Sequence, residues 1–331
     1  QKEGFIFVYQ DVRGRYMSEG VFLETTPHKP AKRTPMDVDE SSDTWDTIAW
    51  ILKNVKGHNG KVGIWGISYP GFYAAAALPD AHPAIKAVSP QAPVTDLFRG
   101  DDAFHNGAFM LAANYGFYVN FVEQKNPLRP METPRFDYGT PDGYEYYLKL
   151  GTMQRALETV TGKAYFKAYL DHSTYDEFWR SRDISAHLTG VTPAVLVTGG
   201  LFDAEDVQGP QRVHRMLMKD SPQTPNTLVL GPWRHGGWSR GDGDALGNLD
   251  FGQKTSVFYR DEIEFPFFMK HLKGGEAVMP RAWVFETGRN EWNKYDAWPP
   301  AGSKGASYYL GAAGTLSTGA PASGDEGADE Y

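Results

Sequence analysis

The chain has 331 residues, 41% hydrophobic and 22% charged, a composition that excludes a disordered, collagen-like or disulfide-scaffold protein. At roughly 150 residues per domain it is long enough for about two domains and a substantial core. Its 33 Lys and Arg against 41 Asp and Glu leave a net charge of -8, which disfavours nucleic acid and suits small cationic partners.

The first apolar run, Gly4-Phe5-Ile6-Phe7-Val8-Tyr9, is short and rich in aromatic and β-branched residues, so a buried strand is expected there. Trp45, Ile48, Ala49, Leu52 and Val55 then recur at helical spacing after Ser41 and Ser42, which are good cap types, and before the stop at Gly57. Lys61-Val62-Gly63-Ile64-Trp65-Gly66 reads as a second strand, and 73–78, with four consecutive alanines, as a narrow helix able to pack closely on a sheet. A third strand is expected over 85–88. Strand and helix alternate, the pattern of a parallel sheet.

From about 97 to 188 the aromatic and helical patterns lack strand signals, which predicts an inserted helical cap. The alternation resumes with strands over 194–197 and 227–230 and helices near 207–218 and 262–272. Beyond Met279, short β-like runs such as Ala282-Trp283-Val284-Phe285 lead into a Gly-, Ala- and Ser-rich acidic tail. The expected organisation is therefore a sheet core over 1–96 and 189–278, a cap over 97–188, and a β domain beginning at 279 and cut short at 331. No apolar run approaches the 18 or so residues of a spanning helix, so no membrane partner is expected.

Gly66-Ile67-Ser68-Tyr69-Pro70-Gly71 lies between a strand and a helix, where α/β-hydrolases place their nucleophile elbow. A sharp turn there presents the Ser68 hydroxyl and points the Tyr69 backbone N–H, at a helix N-terminus, toward a developing oxyanion. The second glycine falls one place late, at Gly71. Serine needs a base and the base needs an orienting carboxylate. The order Ser, acid, His is met by Asp203, after the strand ending at Val197, and His235, after the strand ending at Leu230. Both follow the C-terminal ends of strands, where open parallel sheets bind ligands. His58 falls in a turn, and His214 and His271 in helices, where surface or packing roles are expected.

Two acidic groups remain, Asp203-Ala204-Glu205-Asp206 and Asp101-Asp102. By themselves the first reads as favourable charge at a helix N-terminus and the second as a solvated turn. No H-E-x-x-H spacing or phosphate loop appears and there is no cysteine, so neither metal nor cofactor is expected.

With Tyr9-Gln10-Asp11-Val12-Arg13-Gly14-Arg15, Gly100-Asp101-Asp102, Gly200 to Asp206, Gly231-Pro232-Trp233-Arg234-His235 and Val284-Phe285-Glu286-Thr287-Gly288, the chain resembles one branch of a serine hydrolase family. It is the α-amino-acid ester hydrolase branch of the family that also holds glutaryl acylases, cocaine esterase and X-Pro dipeptidyl peptidases. The resemblance implies an α/β-hydrolase sheet with a helical cap followed by a jelly roll. It implies Ser68 as nucleophile, His235 as base, Asp203 as orienter, and an oxyanion N–H from Tyr69. It further implies that Asp102, Glu205 and Asp206 hold a substrate α-ammonium. Ile67 and Pro70 depart from the ester hydrolases, which bears on acyl preference. The family's second oxyanion donor, a tyrosine hydroxyl, would lie upstream of Gln1, so the chain reads as part of a longer protein. Export and a homo-oligomeric state are implied by the resemblance alone.

The expected activity is cleavage or transfer of the acyl group of α-amino acid esters or amides, α-amino β-lactams included, through an acyl-enzyme. The alternatives are an aminopeptidase or X-Pro dipeptidyl peptidase, an acylase or esterase with no α-amino requirement, and a noncatalytic module that kept the fold.

Overall fold

The computed structural model describes residues 3–34, 36–100, 102–121, 136–311 and 314–320. Helix α1 (Glu40–Asn54) begins earlier than Ser41 and Ser42 imply. Its cap is Asp39, whose carboxylate accepts the Ser42 N–H while the Ser42 hydroxyl accepts the Asp39 N–H. This reciprocal box satisfies two otherwise orphaned donors. There follow β1 (Val62–Ile67), α2 (Tyr69–Ala76) and β2 (Ile85–Gln91).

Between β2 and the next long strand lie a small hairpin, β3 (Phe104–His105) and β4 (Ala108–Phe109), and the helices α3 (Leu111–Tyr118), α4 (Gly143–Leu150), α5 (Met153–Thr159), α6 (Lys163–Asp171) and α7 (Glu177–Arg180). The sheet resumes with β5 (Ala194–Gly200), α8 (Gln208–Asp220) and β6 (Asn226–Gly231). A hairpin of β7 (Ala245–Leu246) and β8 (Leu249–Asp250) precedes α9 (Thr255–Phe258), a π-helical segment (Tyr259–Glu264) and α10 (Phe265–Lys273). Then come β9 (Ala282–Glu286), β10 (Glu291–Tyr295), and the pair β11 (Tyr309–Gly311) and β12 (Thr315–Ser317).

The main sheet has the order β1-β2-β5-β6-β9-β10. All neighbours are parallel except the antiparallel pair β9 and β10. Register places Ile67 beside Gln91, Gln91 beside Thr198, and Gly200 beside Gly231. The loops that leave β1, β5 and β6 therefore emerge along one edge. Side chains alternate between two cores, as the pleat requires. Val195, Val197, Leu228 and Leu230 meet Ala74 of α2, Leu78 just beyond it, and Val213 and Leu217 of α8. Leu196 and Val229 meet Tyr259, Ile263 and Phe267 on the other side. A third core of Phe72, Ala75, Tyr115, Tyr118, Phe166 and Trp179 joins α2 to the helices of 97–188.

Two expectations need correction. Ala282–Glu286 and Glu291–Tyr295, assigned from sequence to the opening of a jelly roll, are the last two strands of the main sheet. Their apolar inner positions read the same in either setting, and only pairing with β6 decides. The boundary expected at 279 thus falls inside the sheet, and the described residues beyond 300 form one two-stranded pair. Residues 5–9 form no strand among the described residues. Ile6, Phe7 and Val8 are about half exposed, since β1 is the outermost strand and nothing in the sheet pairs with this run.

Candidate active site

The turn from β1 to α2 is tight enough to need glycine on both sides of Ser68. A Cβ at Gly66 would lie 2.3 Å from the Pro70 carbonyl oxygen, and one at Gly71 would lie 2.4 Å from that of Gln91. Gly71, rather than residue 70, is the position that passes β2, which explains the late glycine. Ser68 sits at φ 67° and ψ -124°, a left-handed conformation that costs a non-glycine residue about 1–3 kcal/mol. It is held there by the Ser68 N–H donating to Gln91 O at 2.9 Å and by Phe72 N–H donating to Ser68 O at 3.0 Å. Tyr69 opens α2, so its N–H lies in the helix's first turn. Its side chain is buried against the segment before α1, the hydroxyl accepting the Thr25 N–H at 3.0 Å.

The loop after β5 brings Asp203 to His235. Asp203 Oδ1 accepts the N–H groups of Glu205 and Asp206 at 2.9 and 3.0 Å, and Oδ2 lies 2.8 Å from His235 Nδ1. Burial works to raise the Asp203 pKa, but the His235 bond, the two backbone N–H groups and the imidazole charge outweigh it and hold the carboxyl below its usual range. Burial likewise opposes charging of His235, and Asp203, Glu205 and Asp206 together overcome it, so its pKa is raised. The loop carrying His235 runs beside the elbow, for a Cβ at Gly236 would stand 3.8 Å from Ile67 Cγ2. Ser68 Oγ makes no hydrogen bond to His235 among the described residues.

Around the imidazole stand the remaining carboxylates. Glu205 Oε2 is 3.5 Å from Nε2, and Asp206 Oδ2 is 3.8 Å from Nδ1. Asp206 is 1% exposed and neither of its carboxylate oxygens has a hydrogen-bond donor among the described residues. Burial first, and then the neighbouring Asp102, push its pKa well above the carboxylate range. The structure thus gathers Asp102, Asp203, Glu205, Asp206 and His235 and sets Ser68 and Tyr69 on the adjoining elbow. Asp101 lies outside the described residues. Glu205, Asp206 and His235 also present ligand atoms within 4.8 Å of one another, a spacing that could hold a metal ion.

The reading from sequence missed Gln91, whose carbonyl is the floor of the elbow. The only trace in the sequence is an amide at the end of a strand, between Pro90 and Pro93, and it says nothing of what that amide touches.

A mostly parallel sheet with a serine elbow after β1 and an acid and a histidine after β5 and β6 defines a serine hydrolase of the α/β-hydrolase class. The chain belongs to the X-Pro dipeptidyl-peptidase (S15) family, whose model matches residues 1–237. It is 26% identical to cocaine esterase of Rhodococcus sp. (strain MB1 Bresler) over 349 residues, covering 100% of this chain and 57% of that protein. An α-amino acid ester hydrolase structure matches with TM-score 0.86 at 34% identity, covering 100% of this chain and 54% of the other. An aminopeptidase from a marine sediment Thaumarchaeota archaeon matches with TM-score 0.85 at 34% identity, covering 95% and 51%. The chain spans about half the length of these relatives.

Proposed function

We propose that the protein cleaves esters or amides of α-amino acids, or transfers their acyl group, through an acyl-enzyme on Ser68. His235 takes the hydroxyl proton and returns it to the leaving group, and Asp203 fixes the imidazole tautomer and stabilises the imidazolium. The Tyr69 N–H stabilises the oxyanion. Asp102, Glu205 and Asp206 receive the substrate's α-ammonium.

The observation that carries this reading is the buried carboxyl of Asp206, which has no hydrogen-bond donor among the described residues and lies beside Asp102 and His235. Neighbouring carboxyls in a low dielectric repel and hold protons, and a cation between them lets both ionise. The likeness to an α-amino acid ester hydrolase and to an aminopeptidase supports the same substrate end. The aminopeptidase also favours a second reading, cleavage of peptide amides with a free N-terminus.

The test compares phenylglycine methyl ester with its N-acetyl analogue on wild type and on Asp206→Asn. Losing the charge on either partner is expected to reduce kcat/KM by roughly 2 kcal/mol or more, about thirtyfold. EDTA should change nothing. If neither change matters while Ser68→Ala is inactive, the protein is an esterase or acylase without the α-amino requirement. Faster cleavage of a dipeptide amide than of the ester assigns it to the peptidases.

A further inference from the structure

Gln91 ends β2 with 1% of its surface exposed, and it meets both halves of the proposed catalytic machinery. Its carbonyl accepts the Ser68 N–H at 2.9 Å and packs on Gly71. Its amide oxygen accepts the indole N–H of Trp238 at 2.7 Å, three residues beyond His235 in the same loop. Its amide nitrogen faces Glu264 Oε1 at 2.5 Å, the Tyr259 hydroxyl at 3.0 Å and Ser89 Oγ at 3.1 Å. The surroundings dictate which way the amide points. An indole N–H only donates and a carboxylate only accepts, so the NH2 must face Glu264 and the oxygen must face Trp238.

Glu264 comes from the end of the π-helical segment, whose wide turn carries it and Tyr259 to the same spot. The Tyr259 hydroxyl lies 2.9 Å from Thr198 Oγ1 and donates to Glu264 Oε1 at 3.2 Å, so the network also grips β5, the strand that leads to Asp203. Such buried networks set geometry more than stability. The strained Ser68 conformation needs surroundings that enforce it.

We propose that Gln91 is a positioning residue, holding the nucleophile elbow through its carbonyl and the base loop through its amide, with Glu264 fixing the amide's direction. This rests on the reading of Ser68 and His235 as nucleophile and base. A misplacement of an ångström between reacting groups costs about a hundredfold in rate. Disturbing Gln91 therefore lowers kcat and leaves KM, which on the proposed reading the carboxylates set, nearly unchanged.

The test uses the purified protein with its reactive serines counted by an organophosphonate, so that unfolded molecules drop out of kcat. Gln91→Glu sets two carboxyls face to face and is expected to lower kcat per titrated serine at least about tenfold, and the phosphonate labelling rate with it, with KM within about twofold. The exchange Gln91→Glu with Glu264→Gln restores the pattern with its polarity reversed, since a carboxylate then accepts from both Trp238 and the new amide, and recovers kcat to within about threefold of wild type. Trp238→Phe, which cuts only the tie to the base loop, is expected to lower kcat without changing KM. Wild-type kcat per serine in Gln91→Glu and Trp238→Phe, or an exchange no better than Gln91→Glu, would overturn the proposal. Failure of the phosphonate to label wild type at Ser68 would instead overturn the triad itself, and the positioning role with it.

Discussion

Asp203 spends both of its oxygens on geometry, one on the backbone of Glu205 and Asp206 and one on His235. With 0% of its side chain exposed, it cannot exchange those partners for water. In its proposed role His235 works as a base only when neutral, so its raised pKa puts the expected acid limb of kcat/KM above the ordinary histidine value of about 6.5. Asp203→Asn removes the hydrogen-bonding charge and presents an NH2 to Nδ1, which selects the wrong tautomer. The expected outcome is a loss of kcat of about four orders of magnitude, with the remaining acid limb moved to lower pH, as a pH–rate profile of both proteins would show. An unchanged limb would mean that another carboxylate sets the imidazole's pKa. That these two side chains meet was legible in the sequence, because chain order and strand-end position constrain them strongly. Gln91 was not, since nothing in a linear pattern says that a strand-end amide will lie between two loops from distant segments.

At the scale of elements, the strand–turn–helix around Ser68 was readable from Gly66, Pro70 and the alanines, and what decided its fine structure was the approach of β2. Gly71→Ala tests that approach. A methyl group 2.4 Å from the Gln91 oxygen must push α2 or β2 aside, at an overpacking cost of about 1–3 kcal/mol. It should lower both Tm and kcat, because the oxygen displaced is the one that holds the Ser68 N–H. Gly143→Ala is the control. It begins α4 with nothing within 4 Å of the new methyl group, so Tm should hold or rise. Equal effects at the two sites would show that Gly71 matters for helix propensity alone. The start of α1 was misplaced for a related reason. Ser41, Ser42 and Asp39 are all cap types, and the choice falls to Asp39 because it also accepts the Lys29 N–H and meets His28 and Lys32 from the preceding segment. Local pattern names the candidates, and packing selects among them.

Over the whole molecule, the sheet takes its long strands in chain order, β1-β2-β5-β6-β9-β10, and this simple winding is why alternation alone revealed the fold class. The failure at β9 and β10 came where a change of texture was taken for a change of domain. The folded chain also buries titratable groups that the proposed chemistry does not use, and two of them bear on how stability answers to pH. His214 on α8 is 2% exposed, and burial lowers its pKa to about 4. Between about pH 6.5 and pH 4 the unfolded chain takes a proton that the folded protein refuses, so this group costs stability as pH falls through that window. Glu24 acts in the opposite sense. It is 6% exposed, accepts the Tyr118 hydroxyl at 2.7 Å, and burial raises its pKa to about 7. The folded protein keeps that proton after the unfolded chain has released it near pH 4.5, so the stabilisation is complete below 4.5 and is lost as pH rises through 7. Each shift spans about 2.5 units, roughly 3 kcal/mol if fully expressed. The difference in Tm between His214→Leu and wild type should therefore rise as pH falls from 7 to 4.5. That between Glu24→Gln and wild type should rise as pH increases over the same range, because the amide no longer has a charge to bury. Thermal melts of the three proteins at several pH values check both slopes, and parallel curves would show that neither group titrates in the folded state where burial puts it.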